Sequence, residues 1–254
     1  MRIAAALMLA LALSACAGNQ PRGPRPEVID RALRGAPGEA QPSKIVAREV
    51  EYARAAQEQG QYTAAGLFAA PGAVYHGRNG PVSAAALLGS LGGDPETSVA
   101  WGPKAVVISC DATLAVSQGR YQDPEGVVGN YVTVWKRGPD REYNWVYDVA
   151  GPDVPQPPKR EIEDFEEGAI IVTAIDSVHG LIADCPKRGE ATPPPPAVSL
   201  AGDNPGGGGM SPDGTLRWRW EHKADGTKHI IADYLYQGEW QTAIEEGLTS
   251  PAEQ

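Results

Sequence analysis

The sequence predicts an α+β fold: helices packed on a curved antiparallel sheet, followed by a β-rich C-terminal extension. Three observations predict it. Helical patterns crowd residues 43–91, four strand patterns separated by turn signals follow over 98–149, and more strand-like stretches come after a Pro-rich break. The most definite piece is a hairpin at 129–151, GNYVTVWKRGPDREYNWVYDVAG, whose β-branched and aromatic residues are those that strands favour.

The chain has 254 residues and a formal net charge of -10, with its acidic residues scattered. That balance argues against a nucleic-acid partner, because binding phosphates needs a cationic face.

The start reads as an address. Met1-Arg2 precedes an unbroken apolar run over 3–13, too short for a membrane-spanning helix, which needs about 20 residues. Leu13-Ser14-Ala15-Cys16 ends the run and resembles the lipobox of bacterial lipoproteins. The resemblance implies that residues 1–15 are a signal peptide and that Cys16 is acylated. With Ala17 rather than Asp next, it implies an outer-membrane anchor facing the periplasm. Residues 16–42 are rich in Pro, Gly and Arg and read as a flexible tether from that membrane anchor.

Ser43 is the expected N-cap of a first helix with Val46, Val50 and Ala53 on one face, ended by Gly60. A second, Ala-rich helix is expected over 61–70, stopped by Pro71-Gly72, and a short strand over 73–76. Pro81 is expected to open a third helix, closed by Gly92-Gly93. The four strands are placed at 98–109, 114–122, 129–137 and 143–149.

This order, with Glu51 and Ala53-Arg54-Ala55-Ala56 in the helix, the loop VYHGRNGP, SQGRYQDPEG, GNYVTVWKR and WVYD, resembles the nuclear transport factor 2-like superfamily. That group includes SnoaL-like cyclases and ketosteroid isomerase. The likeness covers residues 43–153, is closest to a bacterial branch of unassigned function, and implies a cone-shaped pocket that binds small apolar ligands, acts on them, or is closed.

A four-residue turn at 138–141 sets Arg137 opposite Glu142, Val134 opposite Trp145 and Val132 opposite Tyr147. Tyr131, Thr133, Trp135, Val146 and Asp148 then share the other face. Both faces carry large aromatics, so both are expected to be covered, one by the C-terminal segment or by a second copy of the chain. Asp148 with Tyr131 is the candidate catalytic pair, a carboxylate base with a phenol donor. Tyr75, His76, Trp101, Tyr121, Trp145 and Tyr147 are candidates to line a pocket. The register puts Asp148 on the face away from Trp145 and Tyr147, so a cone lined by those two would exclude it. His76, in a Gly-rich loop, reads as solvated. No HExxH, paired CxxC, P-loop or GxSxG motif occurs, and neither cofactor nor metal is expected.

Residues 154–160 form a Pro-rich connector and 161–246 the extension, with strands at 169–175 and 178–183. Residues 190–213 hold Pro193–Pro196 and Gly206–Gly209 and read as low-complexity loop; 247–254 reads as a tail. A second hairpin spans 215–236. A two-residue Asp225-Gly226 turn would set His222 against His229 and Trp218 against Asp233. Trp218 and Trp220 are then expected to be buried and Arg217 and Arg219 more exposed. In an oxidising compartment, Cys110 and Cys185 are expected to pair once Cys16 is acylated. The resulting expectation is an envelope lipoprotein whose domain is a non-catalytic binding or interaction module. The alternative is an isomerase, cyclase or hydrolase using Asp148.

Overall fold

The computed structural model describes residue 28 and residues 39–158, 177–187, 192–197 and 204–250. The expected signal peptide, Cys16, most of the expected tether and the strand expected at 169–175 lie outside the described residues.

Helix α1 (Pro42–Gln59) starts two residues earlier than expected: Gln41, not Ser43, is the N-cap and Pro42 takes the first turn, where its missing N–H costs nothing. Glu39 and Ala40, assigned to the tether, are buried. Arg137 and Arg141 both pair with Glu39, at 2.5 and 2.8 Å. The buried stripe of α1 is Ile45, Glu49 and Ala56 with half-buried Tyr52, while Val50 faces out. Helix α2 (Gln61–Phe68) ends before strand β1 (Ala69–Gly77), which absorbs Pro71-Gly72 at an irregularity. Pro81 opens no helix. It lies in β2 (Gly80–Ser83), an edge strand that tolerates a missing N–H. Ser83 then caps α3 (Ala84–Ser90), accepting from the Ala86 N–H.

Strands β3 (Ala100–Ile108), β4 (Leu114–Gln122), β5 (Val128–Arg137) and β6 (Tyr143–Pro152) form an antiparallel meander. With β1, β2 and β7 (His179–Ile182) they make a seven-stranded mixed sheet of order β2-β1-β6-β5-β4-β3-β7. Strands β8 (Gly206–Met210), β9 (Leu216–His222), β10 (Lys228–Tyr236) and β11 (Glu239–Leu248) form a second antiparallel sheet. The fold is therefore α+β with an additional C-terminal sheet. One face of the large sheet packs on the helices through Ile45, Ala56, Phe68, Trp135 and Trp145. The other packs Val132, Val134, Tyr147 and Val149 against Leu216, Trp218, Ile230 and Ala232 of the second sheet. The face offered to either the C-terminal segment or a second copy is thus covered by this chain's own strands.

Both hairpin registers differ from expectation. The first turn is longer, Arg137 opposes Tyr143, and a bulge between Val134 and Trp135 leaves Val146 as the extra residue. Trp135 therefore opposes Trp145 while Val134 opposes Tyr147. Trp145 and Tyr147 end up on opposite faces. In the second hairpin the Lys223 N–H bonds the Thr227 carbonyl and Gly226 takes φ 81°, giving a three-residue loop with a bulge rather than a two-residue turn. His222 opposes Lys228 and Trp218 opposes Ala232. Trp218 is buried and Trp220 half-buried, and the side chains of Arg217 and Arg219, 11% and 23% exposed, clamp Asp233.

Two segments expected to lack structure are strands. Gly206–Met210 pairs with β9 because the indoles of Trp220 and Trp218 lie over Gly207 and Gly209; a Cβ at Gly207 would come 2.9 Å from the Trp220 Nε1. Strand β11 runs through Gly247 to a buried Leu248, shortening the expected tail.

A six-residue turn, Ser-x-Asp-x-Thr-Leu, occurs twice, at 109–114 before β4 and at 211–216 before β9. In each, the Ser hydroxyl donates to the Asp carboxylate, which also accepts the Thr N–H, and the Ser oxygen accepts the Leu N–H. The two turns bond each other: the Cys110 N–H donates to Thr215 Oγ1 at 3.0 Å and the Asp111 N–H to Asp213 at 2.8 Å. Cys110 and Cys185 are joined in a disulfide, Cα atoms 5.1 Å apart, tying this junction to the segment after β7.

Candidate functional site

A cavity of about 450 Å³ opens between the helices and the large sheet. Its floor is the alternating face of β5 and β6, which presents Tyr131, Thr133, Trp135 and Asp148 inward. Tyr75 comes from β1, directly beside Asp148 in the parallel β1–β6 ladder. Tyr52 descends from α1, Trp101 and Tyr121 close one side, and Leu87, Leu88 and Leu91 form an apolar rim around α3. Trp101 and Tyr52 meet edge to face with centroids 4.9 Å apart.

Two carboxyl groups define the electrostatics. Asp148 accepts a hydrogen bond from the Thr133 hydroxyl at 2.5 Å, and no second hydrogen bond reaches it among the described residues. Burial pushes its pKa up to about 6, against the smaller pull of Thr133. Glu49, on the buried stripe of α1, lies behind Tyr131. It accepts from the Tyr131 hydroxyl at 2.5 Å and from the Ser117 hydroxyl, which itself accepts from the Trp135 indole N–H at 3.0 Å. These donors favour the carboxylate, but burial outweighs them and raises Glu49 to about 7, helped by the nearby charge of Asp148. The Tyr131 phenol is pushed well up by burial and by Glu49, so it stays protonated as a donor. Tyr52 and Tyr75 are both raised, chiefly by burial.

Of the residues singled out in the sequence, Tyr75, Trp101, Tyr121, Tyr131 and Asp148 meet in this cavity. The expectation that Asp148 lies outside rested on Trp145 and Tyr147 sharing the cavity face, which the bulge at Val146 prevents. Trp145 is fully buried beneath Tyr75, ring centroids 4.7 Å apart, with its indole N–H on the Ala65 carbonyl. Tyr147 turns to the second sheet, against Trp218 at 4.8 Å. His76 is no loop residue. It lies in β1, 3% exposed, between the Tyr147 hydroxyl and His222 Nδ1, the latter at 2.8 Å. Burial, His222 and Lys228 lower it to about 4, so it is neutral at physiological pH. Its partner is His222; the pairing expected for His222 with His229 is absent, and His229 instead meets Glu245 at 3.0 Å.

Sequence reasoning missed Glu49, Tyr52 and Trp135 as site residues. Glu49 falls four residues after Ile45 and seven before Ala56, so helical spacing places it on the buried stripe. A polar residue at a core position was the signal available.

No family model matches the chain. No curated protein matches it either. Among solved structures, a Ca/calmodulin-dependent kinase II association domain from Exiguobacterium sibiricum is similar over 45% of this chain and 96% of that one, at 16% identity and a TM-score of 0.33.

Proposed function

We propose that the chain is an envelope lipoprotein whose nuclear transport factor 2-like domain binds a small organic molecule in the aromatic cavity. The observation that carries the reading is the carboxylate of Asp148 facing an open, largely apolar cavity of about 450 Å³, a size and lining typical of small-molecule sites. The fold assignment is supported by the order of α1, α2, β1, β2, α3 and the β3–β6 meander, and the anchor by the apolar run ending in Leu-Ser-Ala-Cys16. A neutral fluorescent probe, N-phenyl-1-naphthylamine, tests it: saturable enhancement is expected, and Val99→Trp, which fills the cavity wall, should abolish it. Enhancement that is linear in probe, or untouched by Val99→Trp, refutes binding there.

A second reading is supported by one observation. Asp148, raised to about 6 beside protonated phenols, suits a general base acting on a carbonyl compound. Deuterium exchange at the α-carbon of simple cyclic ketones, lost in Asp148→Asn, would favour it; no exchange above buffer would exclude it for that class.

A further inference from the structure

The cavity walls are unusual in what they lack. Around Asp148 the rings of Tyr52, Tyr75, Trp101, Tyr121, Tyr131 and Trp135 supply the surface, Asp123 adds a second carboxylate, and no Lys or Arg lines it among the described residues. An anionic ligand would find no cation and would meet two carboxylates. The phenols bring no charge to offset this: those of Tyr52, Tyr75, Tyr121 and Tyr131 are all raised and stay protonated, and Tyr131 gives its hydroxyl hydrogen to Glu49. Gln61, the amide in the lining, is engaged through its Oε1 by the Val99 N–H at 2.9 Å. The only charge turned to a ligand by the described lining is thus carboxylate, with the π-faces of several rings around the free oxygen of Asp148.

Ring faces carry negative quadrupole density and attract cations, most strongly where water is displaced. A carboxylate at the floor of such a cage is short of a positive partner. The geometry points to an organic ammonium ion, such as a quaternary or tertiary amine on an apolar body, as the ligand class of this cavity. The ammonium group would sit over the rings beside Asp148, and the apolar body would lie against Leu87, Leu88 and Leu91 of the rim. The inference rests on the binding reading above, and adds the sign of the ligand's charge.

Two compounds of one shape separate the claims: benzyltrimethylammonium and its uncharged carbon isostere, neopentylbenzene. Each is titrated against N-phenyl-1-naphthylamine bound to the purified full chain. The cation is expected to displace the probe at a concentration at least about tenfold lower than the isostere, a ratio of the size one or two desolvated cation–π contacts give. Asp148→Asn should cut the cation's advantage about tenfold and leave the isostere unchanged. Trp101→Leu, at a half-buried ring, should narrow the ratio without touching a charge. Equal displacement by the two compounds, or a preference for neopentylbenzene, overturns the inference while leaving the cavity as a binding site. Failure of the probe to bind, or its indifference to Val99→Trp, overturns the binding reading itself. If Asp148→Asn does not fold, the ratio on the native chain still decides.

Discussion

Glu49→Gln should change how stability depends on pH, and the size of the effect follows from the site. The Glu49 carboxyl moves from an ordinary pKa of 4.5 to about 7 on folding, because burial costs the charged form more than Ser117 and Tyr131 return. A carboxyl whose folded pKa is raised binds its proton more tightly in the folded state. Its contribution to stability is complete below pH 4.5 and is lost as pH rises through about 7. At about 1.4 kcal/mol per pH unit, the loss is about 3 kcal/mol by pH 8. Glutamine keeps the shape, can accept from Tyr131, and can donate to Ser117, whose hydroxyl has the Thr133 carbonyl within 3.4 Å as an alternative acceptor. Urea unfolding at pH 4, 5, 6, 7 and 8 with the disulfide intact measures both proteins. Asp148 titrates in the same direction, but it is present in both and falls out of the difference. The variant should gain about 3 kcal/mol on the native chain between pH 4 and pH 8, whatever the constant offset between them. Parallel curves would refute the reasoning, and so would a native chain that gains stability relative to the variant over that range.

Cys16→Ser should leave the protein unprocessed or soluble; unchanged mass and membrane fractionation would exclude the lipid anchor. Replacing both Cys110 and Cys185 by Ser opens a loop of sequence separation 75 and should lower unfolding stability by about 4–5 kcal/mol on the chain-entropy model, read by denaturant titration. Trp218→Ala removes a buried indole packed at a tilt against Tyr147 and should cost about 3–5 kcal/mol, with the loss of near-ultraviolet circular dichroism reporting the second sheet. Gly207→Val puts a side chain where the Trp220 ring lies and should destabilise by about 1–3 kcal/mol; a neutral result would mean that β8 does not pair as described.

How much of this was legible differs by element. The strand at 114–122 was bounded from sequence alone, because β-propensity and turn residues agree there. The grouping of Asp148 with Tyr131, Thr133 and Trp135 followed from strand alternation and holds in the sheet. Which face looked into the cavity did not follow. It depends on one extra residue, Val146, and a bulge has no fixed sequence signature. Gly206–Gly209 read as loop by composition because its reason for being a strand, two indoles needing a flat surface, lies in another strand. Glu49 was hidden by the habit of reading a buried stripe from apolar residues alone: its partners Ser117 and Tyr131 are 68 and 82 residues away, and only the fold assembles them.

The paired Ser-x-Asp-x-Thr-Leu turns carry a further meaning. Each opens a β-hairpin, and the next turn of each also matches: Asp123 to Val127 and Lys223 to Thr227 close with the same two backbone hydrogen bonds. The β3–β6 and β8–β11 meanders therefore share their first two turns in order. Each turn is closed by groups within six residues of one another, so the same local hydrogen bonds can form both without reference to the rest of the chain. The hydrogen bonds from Cys110 to Thr215 and from Asp111 to Asp213 then make the two turns one brace: loosening either withdraws a partner from the other, so the two sheets are joined at this end by polar bonds as well as by their apolar faces.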